Sequence, residues 1–125
     1  MTDKSEQSPK SIKIHSLGRR EVRVTKGGLD NGYISLSAIK DFFPPGAVGG
    51  SKKVCIAPKL LTLIFECRSF RSDIDGGEKW IIRNRGRYGM RGFFSLTKAK
   101  AGDVVVIDKL ADYVYALRLK RRTLA

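Results

Sequence analysis

Apolar residues in this chain fall in short runs with a period of two or none, and no segment sustains a long helical stripe. Glu21-Val-Arg-Val-Thr25 alternates apolar and polar positions as a half-buried strand does. Lys26-Gly-Gly-Leu-Asp-Asn-Gly32 then supplies turn residues, and Tyr33-Ile-Ser-Leu36 reads as the returning strand. Ser37 can cap a short helix that carries Ala38, Ile39, Phe42 and Phe43 toward a core. Pro44-Pro45-Gly46 stops that helix, because proline lacks the donor and disfavours a helical residue before it.

Further on, Leu60-Leu-Thr-Leu-Ile-Phe-Glu-Cys67 and Lys79-Trp-Ile-Ile-Arg83 are rich in strand formers, with Asp75-Gly-Gly-Glu78 between them as hairpin chemistry. The pattern therefore predicts that these two segments are antiparallel neighbours. Gly92-Phe-Phe94 returns to the core, and Ser95-Leu-Thr-Lys-Ala-Lys100 allows a second short helix stopped by Gly102. Asp103–Asp108 and Tyr113–Leu119 complete the set as two strands joined through Leu110-Ala-Asp112. About seven strands and two short helices point to a mainly β domain, a barrel or sandwich, because closing a sheet removes exposed edges. Residues 1–11 are polar, contain Pro9 and show no apolar period, so they are expected to be a disordered arm before a single domain at 12–122.

Composition narrows the partners. The chain has 125 residues, 42% of them apolar, which suits one core without disulfide or metal staples. Lys plus Arg number 25 against 12 Asp plus Glu, a formal charge of +13, which favours a polyanion. No run approaches the ~20 apolar residues that span a bilayer, and the first ten residues lack the apolar core of a signal peptide. An intracellular setting is expected: the cytoplasm, associated with the nucleoid, or the nucleus in a eukaryote. Cys55 and Cys67 follow or lie within strand-like segments, where buried reduced thiols are expected.

The chemistry concentrates in Trp80-Ile-Ile-Arg-Asn-Arg-Gly-Arg-Tyr-Gly-Met-Arg91. This run places Arg83, Asn84, Arg85, Arg87, Tyr88 and Arg91 in a loop broken by Gly86 and Gly89. A guanidinium fork matches a phosphate or the O6/N7 edge of guanine, and a carboxamide matches adenine. Arg85 and Arg87, flanking Gly86, are the leading candidates for base contacts. Asn84 and Asn31 are weaker ones, since asparagine is also a turn residue. Tyr88 and Tyr33 can pack on sugar or a thymine methyl, or plug the core. Lys52, Lys53, Arg118, Lys120, Arg121 and Arg122 fit phosphate contacts or solvated charge.

Other chemistries find little footing. No paired catalytic carboxylates, Ser/His/Asp set or Glu-x-Lys nuclease motif can be assembled, so no enzymatic activity is expected from this chain. A structural zinc site uses about four Cys/His ligands, and the sequence offers Cys55, Cys67 and His15. Asp73, Asp75 and Glu78 match no calcium loop and read as a solvated turn. Gly46–Lys53 lacks the Gly-Lys-Ser/Thr ending of a P-loop. Neither metal nor cofactor is expected. The rivals to duplex DNA binding are a small barrel that binds single-stranded DNA or RNA, and a basic protein-interaction domain.

Gly92-Phe-Phe-Ser-Leu-Thr-Lys-Ala-Lys-Ala-Gly-Asp-Val-Val-Val-Ile107 resembles a late signature of the B-three DNA-binding superfamily: aromatic residues, a short helix, then Gly-Asp and a β-branched strand. Tyr33 through Pro44, a strand plus helix ending in Phe-Phe-Pro, and the strand carrying Trp80 extend the likeness to about residues 20–120. The compact loops make the restriction-endonuclease specificity domains, those similar to the EcoRII effector-binding domain, look nearer than the plant transcription factors. The chain departs from the plant pattern at Lys98-Ala99-Lys100 and in the longer loop at 46–53. The resemblance implies a seven-stranded open pseudobarrel that grips duplex DNA with two arms in the major groove. One arm corresponds to Arg83–Arg91. The other corresponds to Lys26–Tyr33, led by Arg20 and Arg23. A restriction-type target-recognition module is implied, with any cleavage residing in another domain or subunit.

Overall fold

The longest β-branched and apolar runs of the sequence build the spine of the molecule, and the shorter segments are arranged around it. A computed structural model describes residues 16–50, 52, 55–66, 68–83 and 89–121. In chain order the strands are β1 (Gly18–Arg23), β2 (Val48–Gly49), β3 (Leu61–Phe65), β4 (Arg68–Ser72), β5 (Ile74–Asp75), β6 (Ile81–Ile82), β7 (Val104–Ala111) and β8 (Val114–Lys120). The helices are α1 (Lys26–Asn31) and α2 (Gly89–Thr97), with 3-10 turns at Ser37–Phe42 and Pro45–Ala47.

Five strands form one sheet in the order β1-β7-β8-β3-β4. All its pairings are antiparallel except β3 with β8, which run parallel. A second sheet has the order β2-β5-β6, with β2 parallel and β6 antiparallel to β5. The chain passes from the large sheet to the small one across a single residue, Asp73, between β4 and β5. The result is a mainly β, open pseudobarrel, as the strand pattern and the resemblance imply.

Alternation fixes the inward faces. Leu61, Leu63 and Phe65 on β3, Val105 and Ile107 on β7, and Tyr115 and Leu117 on β8 are buried. Met90, Phe93 and Phe94 of α2 close over this core, with Phe93 meeting the Phe65 ring edge-on at 5.2 Å between centroids. Tyr115 packs against Phe42 and Phe43, and its hydroxyl donates to the Phe42 carbonyl at 2.7 Å. Fully burying each such side chain contributes about 1.5–3 kcal/mol.

Several local expectations give way to tertiary structure. Lys26–Asn31 is a helix rather than a turn, because its ends are capped on both sides. Tyr33–Leu36 does not form the expected strand; it meets the small sheet through the Ser35–Ile81 bridge and a Leu36 N–H bond to the Trp80 carbonyl at 2.8 Å. The turn after it is 3-10 and kinks at Ile39, and Ser37 does not cap it, although Phe42 and Phe43 are buried as the pattern requires. β3 pairs with β4 immediately after it, while Ile81–Ile82 pairs with β5 in the other sheet. The strong Asp75-Gly-Gly-Glu78 turn signal thus closes a hairpin shorter than the flanking runs.

α2 starts at Gly89, six residues ahead of the expected Ser95. Met90, Phe93, Phe94 and Thr97 form a helical stripe, the Phe-Phe pair serving two adjacent positions of it. Lys98, with φ of 55°, terminates the helix: its N–H bonds Ser95 O and the Ala99 N–H bonds Phe94 O, the two bonds of a Schellman motif. Gly102 lies beyond that stop. Cys55 is exposed in the loop after Gly50 rather than buried. Cys67, His15 and the arm at 1–11 lie outside the described residues.

Candidate nucleic-acid interface

α1 is held in place by backbone chemistry more than by apolar burial. The Thr25 hydroxyl accepts from the Gly28 N–H at 3.0 Å, satisfying one of the free donors at the helix start. At the other end Gly32, with φ of 74°, and Tyr33 both donate to the Gly28 carbonyl, at 2.7 and 2.9 Å. A Cβ at residue 28 would collide with the Tyr33 carbonyl oxygen, so glycine is required there for close approach of the backbone. Lys26, Asp30 and Asn31 project to solvent. The Lys26 ammonium lies 3.1 Å from Asp30, one turn on, and the Asn31 carboxamide donates to Gly27 O at 2.9 Å.

Two separate parts of the chain converge on this helix and the residues just after it. From α2, Arg91 donates to the Asn31 carbonyl at 3.1 Å. From the turn before β6, Lys79 donates to the Tyr33 hydroxyl at 3.0 Å and lies 5.2 Å from the centre of that ring. Arg23, at the end of β1 and two residues before the Thr25 cap, instead reaches Gly102 O in the turn before β7 at 3.4 Å. Lys26, Asn31, Tyr33 and Arg91, read from the sequence as members of two arms, are therefore gathered around one short helix, with Arg23 on the strand end that leads into it. The Tyr33 hydroxyl, through its hydrogen bond and then its charge interaction, holds the Lys79 ammonium above its ordinary range.

Lys79 was not among the candidates, because its position reads as the first residue of a strand. The signal that finds it is spatial: Trp80, with φ of 51°, turns the backbone next to it.

Other sequence candidates lie elsewhere. Arg20 stands over the Phe42 ring at 4.6 Å, on the face of β1 opposite Arg23, as the two-residue period demands. Lys52 is exposed in the loop that follows Gly50. Arg83 is drawn inward and does not present its guanidinium to the surface. It is 6% exposed, pairs with Asp73 and donates to the Gly50 carbonyl. Asn84, Arg85, Arg87, Tyr88 and Lys53 lie outside the described residues, as does Arg122. On the outer face of the large sheet, Asp108 takes Arg19 at 2.6 Å and stands 3.9 Å from Arg118, and Lys120 pairs with Glu21 at 3.6 Å. The Asp108 hydrogen bond, then its charge, raises the Arg19 guanidinium further above an already high value.

The gathered groups are donors of the kind that bind phosphate oxygens and base edges: two guanidinium groups, two ammonium groups and a carboxamide. Among the described residues, no set of three or more His, Cys, Asp and Glu is placed to hold a metal ion. No helix among them is long and apolar enough to cross a membrane.

No family model matches the chain, and no curated protein matches it in sequence. Its fold is similar to that of the hypothetical Arabidopsis thaliana protein At1g16640.1, with a TM-score of 0.56 at 9% identity. The match covers 86% of this chain and 94% of that one. At that identity the likeness concerns the fold alone.

Proposed function

We propose that this chain binds double-stranded DNA in a sequence-specific way, through a face centred on α1 and the start of α2. The observation that carries the reading is the Arg91–Asn31 contact, which joins the two segments that the B-three resemblance assigns to the two arms. Arg23, Lys26 and Lys79 beside that contact supply charge for phosphate neutralisation, and Asn31 and Arg91 offer base-edge donors. Arg85 and Arg87 follow Arg83, whose backbone is fixed: its N–H bonds Asp73 O at 3.0 Å and its carbonyl accepts from the Ser72 hydroxyl at 2.5 Å. The arm is thereby rooted in the core on its N-terminal side and in α2 on the other. Base reading is assigned to Arg85 and Arg87, and positioning to the surrounding lysines and arginines.

The aromatic side chains favour a duplex over a single strand. A single-strand groove needs open rings on which bases stack. Here the Tyr33 ring lies under Lys79 and the Trp80 ring lies under Lys40 at 5.3 Å. Following the resemblance, the role is that of a target-recognition module in a restriction-type system, with a nuclease domain or subunit as partner and no DNA hydrolysis by this chain itself.

Selection of bound duplexes from a randomised pool, followed by titration of the enriched sequence, tests the proposal. A short shared motif and a steep loss of affinity with salt are expected. An enriched pool without a motif, or tighter binding to the single strands than to the duplex, would refute it.

A further inference from the structure

α1 and α2 are tied to each other twice. Near the start of α2, Arg91 donates to the carbonyl of Asn31, the last residue of α1, at 3.1 Å. The second tie runs through Arg121, which follows β8, and Asp103, which precedes β7. The Arg121 guanidinium donates to the Thr97 and Lys98 carbonyls at the end of α2, at 2.6 and 2.9 Å, and lies 3.3 Å from the Asp103 carboxylate. A cation is favoured there, because the last carbonyls of a helix carry partial negative charge.

From Asp103 the bonds continue to α1. The buried Asp103 carboxylate accepts from the Lys100 N–H at 2.9 Å, and the Asp103 N–H donates to Lys100 O at 3.0 Å, which folds residues 100–103 into a tight turn. Gly102 takes a φ of 96° in that turn, where a Cβ would be strained. Its N–H then donates to Val24 O at 2.8 Å, and the Val24 N–H donates to Asp103 O at 2.7 Å. Val24 immediately precedes Thr25, the cap of α1. The bonds therefore close a ring through α1, Arg91, α2, Arg121, Asp103 and Val24. α1 has six residues and fully buries only Gly28, so its placement depends on such bonds rather than on an apolar face. Held at one point two short helices can pivot; held in a ring they resist it.

We propose that Arg121 and Asp103 are positioning residues for DNA recognition: they set α2 against α1, and with it the geometry in which Arg91 and Asn31 meet base edges. This inference rests on the DNA-binding reading above and assigns Arg121, grouped by sequence with phosphate contacts, to specificity instead. Paired hydrogen bonds to a base edge require placement within about 0.5 Å. Attraction between Lys26 or Lys79 and a phosphate changes slowly with distance. Loosening the ring therefore lowers discrimination between sequences more than it lowers affinity for duplex as such.

Arg121→Lys in the full chain tests the proposal, with the selected duplex and a scrambled duplex of the same composition as probes. The variant keeps the charge at a side chain that is 58% exposed, but a single ammonium does not reproduce a fork spread over three acceptors. The preference for the selected duplex should fall about fivefold, the scale on which residues that act through others alter binding. Affinity for the scrambled duplex and the salt slope should stay at wild-type values. In the free ¹⁵N-labelled protein, the amide signals of Asn31 and Arg91 should move, although both lie away from the substitution. Wild-type preference retained by Arg121→Lys would overturn the proposal, as would a lost preference with unmoved Asn31 and Arg91 signals. So would Arg121→Gln weakening both duplexes alike and lowering the salt slope by about one unit, the behaviour of a direct phosphate contact. A wild-type chain that shows no preference at all would instead remove the DNA reading, and this inference with it.

Discussion

Arg83 and Asp73 form an ion pair inside the molecule, with Nε 3.4 Å from Oδ1 and side chains only 6% and 0% exposed. Asp73 is the one-residue link between β4 of the large sheet and β5 of the small one. Its other carboxylate oxygen accepts from the Ala57 N–H at 2.9 Å. The Arg83 guanidinium reaches Gly50 O on the same loop. The pair thus ties the 46–57 loop, the sheet junction and the root of the arginine-rich arm into one charged core, and each group is needed to compensate the other.

Removing one partner should expose that dependence. Asp73→Asn leaves a buried guanidinium without its counter-charge and should cost about 3–5 kcal/mol of stability in urea denaturation. The double change Asp73→Leu with Arg83→Met should recover much of that loss, since apolar replacement of a buried pair is often nearly neutral. A loss below about 1 kcal/mol for Asp73→Asn would mean that the pair does not hold the junction.

Tyr115 provides an alkaline signature of the core. Burial first, then the charges of Asp112 and Tyr113, pushes its phenol from 10.0 up to about 12. The unfolded chain releases this proton near pH 10.0 while the folded chain keeps it, so the contribution to stability is whole below that pH and is lost as pH rises through about 12. Ultraviolet titration should show a late-ionising tyrosine phase, and Tyr115→Phe should abolish it. The same variant should cost about 1–3 kcal/mol, because the Phe42 carbonyl loses its buried donor.

On the proposed DNA face, Lys26 is engaged by Asp30 in an exposed pair that by itself contributes only a few tenths of a kcal/mol. Phosphate must compete with that carboxylate. Asp30→Asn should therefore tighten duplex binding about threefold at low salt while leaving the melting temperature nearly unchanged. Unaltered or weaker binding, measured by fluorescence anisotropy, would place α1 away from the phosphates.

Arg91→Ala removes the tie between the two helices as well as a charge. Duplex affinity should fall about tenfold or more, with the salt slope reduced by about one unit. Lys59→Ala, whose ammonium lies over the Tyr113 ring at 4.5 Å on another part of the surface, should change affinity far less. Equal losses for the two variants would show that net charge alone drives binding.

Much of this architecture is legible in the chain because strand alternation is a local signal. Val104–Ile107 and Leu61–Phe65 announce their buried faces, and Phe42 and Phe43 announce theirs. Pairing is not local: nothing in the sequence states that β3 closes on β4 or that β5 joins another sheet, since both outcomes bury the same residues. α1 was hidden by two glycines that signal a turn in isolation, yet fit a helix whose Thr25 and Gly32 caps satisfy its ends. Arg83 was read as a surface reader because its partner, Asp73, lies ten positions back in what looks like a polar turn. Arg91 and Asn31 stand out in the sequence by residue type alone, and their meeting depends on α2 starting at Gly89 rather than Ser95.

The most direct test is amide mapping of the ¹⁵N-labelled full chain with the duplex recovered by selection. The account predicts that the largest shifts fall at Arg23, Lys26, Asn31, Tyr33, Lys79 and Arg91, and that they shrink as salt is raised. Shifts centred instead on the outer sheet around Asp108 and Lys120, or an identical pattern with a single strand of the same sequence, would contradict it.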